Sequence, residues 1–171
     1  MHVQRVNHQP LRPMATISLV VMLLFAGWAE TASAEKPGPT YRRHRSRIVW
    51  QPQAFESFST EKEFSKIIAK ARRSKVLKRD AKGLWPFHFI AFLKSKPRAT
   101  KLTLVWYRLN KKREQVDFTE FTVPADGLTL QAQLMLKPLM GFKSGDRLEA
   151  RVTRLVGGRE KVYASCRITL K

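Results

Sequence analysis

Cysteine is nearly absent: Cys166 is the only one. That excludes an intramolecular disulfide and any multi-cysteine metal site, so the fold must be held by its apolar core. Histidine is scarce too. Beyond the first 34 residues only His44 and His88 remain, one in a basic run and one in an aromatic run. A lone histidine in a strand serves packing more often than catalysis. Acidic groups are outnumbered, 13 Asp and Glu against 33 Lys and Arg. Asp117 and Glu120 stand three apart in a strand pattern, hence on opposite faces, and make a poor pair for general acid and base work. No phosphate-cradling glycine loop, nucleophile elbow or metal-ligand spacing occurs. Cys166 shares parity with Val162, Ala164 and Ile168 and reads as a small buried hydrophobe, while Arg167 beside it points to the other face. These absences argue against an enzyme and imply neither cofactor nor metal.

What the chain has in excess is positive charge. The formal net charge is +20 over 171 residues, and 43% of the residues are hydrophobic. The length suits one domain with a real core. The charge favours anionic partners: nucleic acid, acidic polysaccharide, or phospholipid and lipopolysaccharide head groups.

The N-terminus points to export. Arg5 and Arg12 precede an apolar run from Ala15 to Ala29, and Ala32-Ser33-Ala34 fits the small-x-small cleavage rule. The run is short for a membrane span, which needs about 20 apolar residues. We therefore expect residues 1–34 to be a signal peptide, with Met14 an alternative start, and no transmembrane segment after cleavage. The segment removes two arginines and one glutamate, so the mature chain stays strongly basic. A periplasmic or secreted location places nucleic acid below envelope polymers and lipids as a target.

Residues 35–58 read as a basic, extended arm and linker, with EKPGPTYRRHRSR at its start and a short strand possible at Ile48-Val49-Trp50. Thr60 and Glu63 form a capping-box pattern. Phe64, Ile67, Ile68 and Ala71 follow at helical spacing, with Lys62, Lys66, Lys70 and Arg73 on the opposite side. From Gly83 the period becomes two. Leu84–Leu93 is apolar on both faces, as in a central strand, with Phe87 and Phe89 on one face and Ile90 and Phe92 on the other. Further strands are expected at 101–109, 114–123, 128–136, 147–155 and 161–170. Residues 71–83 read as the frayed end of the helix and a solvated link. In the last hairpin Leu148, Ala150 and Val152 should face Val162, Ala164, Cys166 and Ile168. That parity predicts a three-residue loop, Val156-Gly157-Gly158, with Arg154 opposite Glu160 and Tyr163 on the outer face.

About seven strands predict a mainly β domain over residues 59–171, an immunoglobulin-like antiparallel β-sandwich with one N-terminal amphipathic helix covering an edge or open end. The segment GDRLEARVTRLVGGREKVYASCRITL, Gly145–Leu170, resembles the last two strands of fibronectin type III and immunoglobulin-like domains. From Trp85 onward the chain is also similar to a set of uncharacterised exported bacterial proteins, in which an aromatic F-x-F-x-A-F-L strand precedes the same GDR…RVTRLVGGRE ending. The resemblance covers about half the chain and implies a fold, not an activity. The chain departs from immunoglobulins in lacking the cysteine pair, and Leu148 stands where a corner tyrosine is often found.

Three basic patches are the candidate sites for anions: Arg42, Arg43, Arg45 and Arg47 in the arm; Lys62, Lys66, Lys70 and Arg73 on the helix, extended by Lys75, Lys78 and Arg79; and Arg147, Arg151, Lys161, Arg167 and Lys171 on the outer face of the last hairpin. Guanidinium forks suit phosphate, sulfate and carboxylate groups. The expected function is a non-catalytic binding or structural module for an anionic polymer or membrane head groups. The alternative is a protein–protein module that uses a sheet edge or the surfaces of Trp50, Trp85 and Trp106, with the charge incidental.

Overall fold

The computed structural model describes residues 37–71, 75–97, 101–110, 112–123 and 127–171. The expected signal peptide and Arg73 lie outside the described residues. Among those described, the protein is mainly β: eight strands in two sheets, two short helices and one 3-10 turn.

Strand β3 (Trp85–Phe92) lies in the middle of a three-stranded antiparallel sheet, between β1 (Ile48–Gln51) and β6 (Thr129–Leu136). Its two-sided hydrophobicity explains the place. Trp85, Phe87, Phe89 and Ala91 face one core, and Ile90 and Phe92 face a second. Pro86 sits beyond the reach of β1, where β3 has only β6 beside it, so its missing N–H interrupts no second ladder.

The other sheet has the order β2-β8-β7-β4-β5, with β2 at Val76–Leu77, β4 at Lys101–Leu109, β5 at Arg113–Thr122, β7 at Arg147–Val156 and β8 at Arg159–Leu170. Leu102, Leu104 and Trp106 of β4, Leu148, Ala150 and Val152 of β7, and Ala164 and Ile168 of β8 share one core cluster with Phe87, Phe89, Leu130 and Leu136 of the first sheet. The eighth strand is β2. It comes from the stretch read as a solvated link and runs parallel to the end of β8, with Val76 opposite Thr169 and Leu77 opposite Leu170. Leu77 is fully buried, which is what draws the link onto the sheet.

Helix α2 (Glu61–Ala71) starts with the expected capping box. The Glu63 N–H donates to Thr60 Oγ1 at 3.2 Å, and Glu63 Oε2 accepts from Thr60 N at 3.2 Å and Ser59 N at 2.9 Å. The backbone donors also hold the Glu63 carboxyl below the usual range. The helix does not cover an edge or an open end. It lies on the outer face of the three-stranded sheet, where Ile68 and Ala71 pack with Val49, Ile90 and Phe92, and Phe64 with Phe92 at 5.9 Å between ring centres.

The stretch expected as an extended arm is folded at its described residues. Helix α1 (Pro39–His44) buries Thr40 and His44 and leaves Arg42 and Arg43 exposed. Tyr41 packs at a tilt against Phe92 and donates its hydroxyl proton to the Leu93 carbonyl. Aromatic packing against Phe92 on the outer face of β3 outweighs the solvation of the basic run.

The last hairpin also corrects its expectation. The turn has two residues, Gly157-Gly158, with φ of 57° and 74° as a type I′ turn requires. Near the turn Arg154 therefore faces Lys161, not Glu160. A bulge between Val152 and Thr153 then restores the register that matches Val152 with Ala164, Ala150 with Cys166 and Leu148 with Ile168. The extra residue is Tyr163, which turns into the core and is 2% exposed. Burying a tyrosine ring and keeping the apolar row inside together favour a bulge over a longer loop.

Candidate anion-binding cleft

The two sheets meet beside β8. Ser165 N donates to Ser46 O at 3.1 Å, Lys94 N donates to Tyr163 O at 2.8 Å, and Arg47 and Ser165 form an isolated parallel bridge. Past this bridge β1 turns away to pair with β3, and Lys75 and β2 take over the β8 edge, with Thr169 N donating to Lys75 O at 3.0 Å. Ser46, at φ 69°, makes the sharp change of direction that opens the gap.

Between the diverging strands is a cleft of about 480 Å³. Arg45, Arg47, Lys75 and Arg167 line it, with Ser165, Cys166, Ile48 and Trp50, and no acidic side chain is among the described lining residues. Arg45 is anchored by its Nε–H, which donates to the Lys94 carbonyl at 2.8 Å. Arg167 Nε stands 3.8 Å from Glu149 Oε1, and its side chain is 74% exposed, so it is tethered but free to swing. Four cations around one concavity, with few acids to neutralise them, raise the local positive potential above that of a flat surface.

The structure brings together parts of all three expected patches and separates the rest. Arg45 and Arg47 from the arm meet Arg167 from the hairpin, with Lys75 from the extension of the helix ridge. Arg42 and Arg43 are exposed on α1, and Lys62, Lys66 and Lys70 on α2, all outside the cleft lining. Lys70 stands 3.8 Å from Glu56 with both side chains exposed, a pair worth well under about 1 kcal/mol. Arg147 is exposed at the far end of β7. Lys161 lies over the Tyr163 ring at 5.2 Å.

Arg151 is committed elsewhere. It pairs with Glu149 at 3.0 Å and Glu160 at 3.3 Å, with its side chain 17% exposed. Glu149, 6% exposed, also pairs with Arg113 at 3.1 Å. Sequence reasoning left Glu149 out. Its parity with Arg147 and Arg151 in the R-x-E-x-R of β7 is the signal that places it on their face.

Burial pushes the Cys166 thiol well up from its ordinary value, so it stays protonated and is a poor nucleophile. Among the described residues no three His, Cys, Asp or Glu side chains group as metal ligands. His88 faces Gln51 and Gln133 across the ladders and is half-buried, and burial lowers its pKa. The unfolded chain then takes the proton first as pH falls below about 6.5. Stability should therefore decline from there to the folded-state pKa and level off below it. Replacing His88 with glutamine should flatten that part of a urea-unfolding series between pH 7.5 and 5; an unchanged slope would remove His88 as its source.

Comparison of the chain with protein-family models, with curated proteins and with solved structures finds no match.

Proposed function

We propose that this chain is an exported, non-catalytic binding module that holds an anionic polymer or membrane head groups through its basic surface. The observation that carries the reading is the cleft where Arg45, Arg47, Lys75 and Arg167 converge with no acid among the described lining residues. Export to the periplasm or beyond rests on the apolar run and Ala32-Ser33-Ala34. Kinship with immunoglobulin and fibronectin type III sandwiches, and with the exported bacterial proteins that share the GDR…RVTRLVGGRE ending, is part of the proposal. The strand order supports it: β1-β3-β6 follows A-B-E, and β8-β7-β4-β5 follows G-F-C with an added C′ strand.

Retention on immobilised heparin across a salt series tests the site. Replacing Arg47 and Arg167 together with glutamate should weaken binding at least about tenfold at ~0.1 M salt, where screening is incomplete. The matched variant, Arg42→Glu with Arg43→Glu, has the same net charge and should lose clearly less. Equal losses would mean diffuse charge and no site.

One observation favours a second reading. On the outer face of the five-stranded sheet Phe118 is 57% and Leu155 73% exposed. A groove of about 320 Å³ there has Phe118, Leu155, Val105 and Tyr107 among its lining residues. That surface fits a protein partner held by apolar contact, and complexes that survive high salt would favour it. The tryptophans expected to serve such a surface do not: Trp50, Trp85 and Trp106 are buried in the core.

A further inference from the structure

Several chain reversals gather at one end of the fold. Trp85 at the start of β3 pairs with Leu136 at the end of β6, Arg147 pairs with Thr169, and Leu109 pairs with Arg113. Backbone bonds tie the loops of this end together: Gly145 N to Leu170 O at 2.8 Å, Leu170 N to Asp146 O at 2.9 Å, and Arg79 N to Lys171 O at 3.0 Å. Exposed lysines ring it: Lys78, Lys82, Lys112, Lys137, Lys143 and Lys171.

The acids of this end are already engaged. Asp80 accepts from the backbone N–H groups of Lys82 and Leu84, both at 2.9 Å. Asp146 and Glu114 both bind Arg108, at 3.0 and 3.1 Å. The six lysines outnumber these three acids, two of which share Arg108, so this end keeps an excess of positive charge.

From it projects Leu139, at 98% exposure. The residue is the apex of the 3-10 turn Pro138–Met140, and the turn is firmly held. Gly141 closes it at φ 89°, with its N–H on the Pro138 carbonyl, and the Gly141 carbonyl accepts from Arg108 Nη2 at 2.6 Å. Met140 packs against the core, and Phe142 is fully buried. A fixed loop presenting a bare leucine between Lys137 and Lys143 combines two membrane-binding terms: apolar insertion at the acyl boundary, and cations at the level of anionic head groups.

We infer that this end of the fold docks on a bilayer rich in anionic phospholipid, with Leu139 inserted and the lysine ring at the phosphates. The inference deepens the anionic-partner reading and rests on it, but uses a different surface from the cleft.

The test uses the full chain with Leu139→Cys and Cys166→Ser, carrying an environment-sensitive nitrobenzoxadiazole label at position 139. Vesicles of phosphatidylglycerol and phosphatidylcholine should raise and blue-shift the emission, and pure phosphatidylcholine vesicles should not. Adding Lys137→Glu and Lys143→Glu should raise the lipid concentration needed by at least about tenfold. In a pelleting assay of the unlabelled chain, Leu139→Asp should weaken binding to the same vesicles about tenfold. Emission that ignores anionic vesicles overturns the inference. If heparin retention persists in that case, the anionic-partner reading survives without the membrane; if both are lost, both fail.

Discussion

Replacing Phe87 with alanine is expected to cost about 3–5 kcal/mol of unfolding free energy. The ring is fully buried and lies between the two sheets. It meets Trp106 of the facing sheet edge-on at 4.9 Å between centres, Phe89 at 5.4 Å and Trp50 of β1 at 5.8 Å. Two of these neighbours are indoles too large to collapse into the space left, so the cavity term should be near the top of its range. Domains of this size are stable by only about 5–15 kcal/mol, so the loss is a large share of the whole. Equilibrium urea unfolding followed by tryptophan fluorescence checks it through a lower midpoint at unchanged slope. Phe118→Ala is the matched control: its ring is 57% exposed, and the midpoint should barely move. A loss below about 1 kcal/mol for Phe87→Ala would place the ring outside a packed core.

The same strand shows what the sequence could reveal. An apolar pattern on both faces required two layers over β3, and odd and even residues do face two different cores. The pattern could not say what the second layer is, because the even-numbered face is satisfied equally by a helix or by another sheet. The amphipathic face of α2 was legible, its docking place was not. The Tyr41-Arg42-Arg43-His44 run shows the limit more sharply. Charge density predicted a solvated arm, yet Tyr41 and His44 each reach Phe92, at 6.3 and 5.5 Å between ring centres. Two ring-bearing residues were hidden among arginines, and propensity arguments weigh the majority.

In the last hairpin parity was right and its device was wrong. Facing partners had to sum to an even number in the core, and they do from Val152–Ala164 onward. The sequence offers two ways to reach that sum, a longer loop or a bulge. Only the burial of Tyr163 chooses between them, and an aromatic at a strand position carries no label for its face. The cleft was less legible still. Its arginines stood out by charge, but Arg47 and Arg167 are 120 positions apart, and their meeting depends on the bridge between Arg47 and Ser165. Arg151, read as part of the same patch, is instead spent on Glu149 and Glu160.

Arg108 was not legible as anything but a charge in a strand, and its loss should be the second large effect. Its guanidinium binds Asp146 with two parallel bonds, Nε to Oδ1 at 3.0 Å and Nη2 to Oδ2 at 3.1 Å. It also reaches Glu114 at 3.1 Å and the Gly141 carbonyl. The side chains of Arg108 and Asp146 are 15% and 11% exposed. Hydrogen bonding to Asp146 raises the Arg108 pKa further, so the group stays charged at any workable pH. Arg108→Ala leaves a shielded carboxylate with the Lys143 N–H as its remaining donor, and removes the Gly141 carbonyl's side-chain partner. We expect a cost of about 2–4 kcal/mol, below the fully buried case because some solvent reaches the pair. Arg108→Lys should recover little, since an ammonium cannot make the parallel bonds. Adding Asp146→Asn to Arg108→Ala should cost less than the two single losses summed, because the stranded charge is gone. Hydrogen exchange should localise the damage to residues 137–146, the loop that carries Leu139. Most of the loss should persist in 1 M salt. A loss that salt abolishes would make Arg108 an ordinary surface cation, and the loop would then be held by Met140 and Phe142 alone.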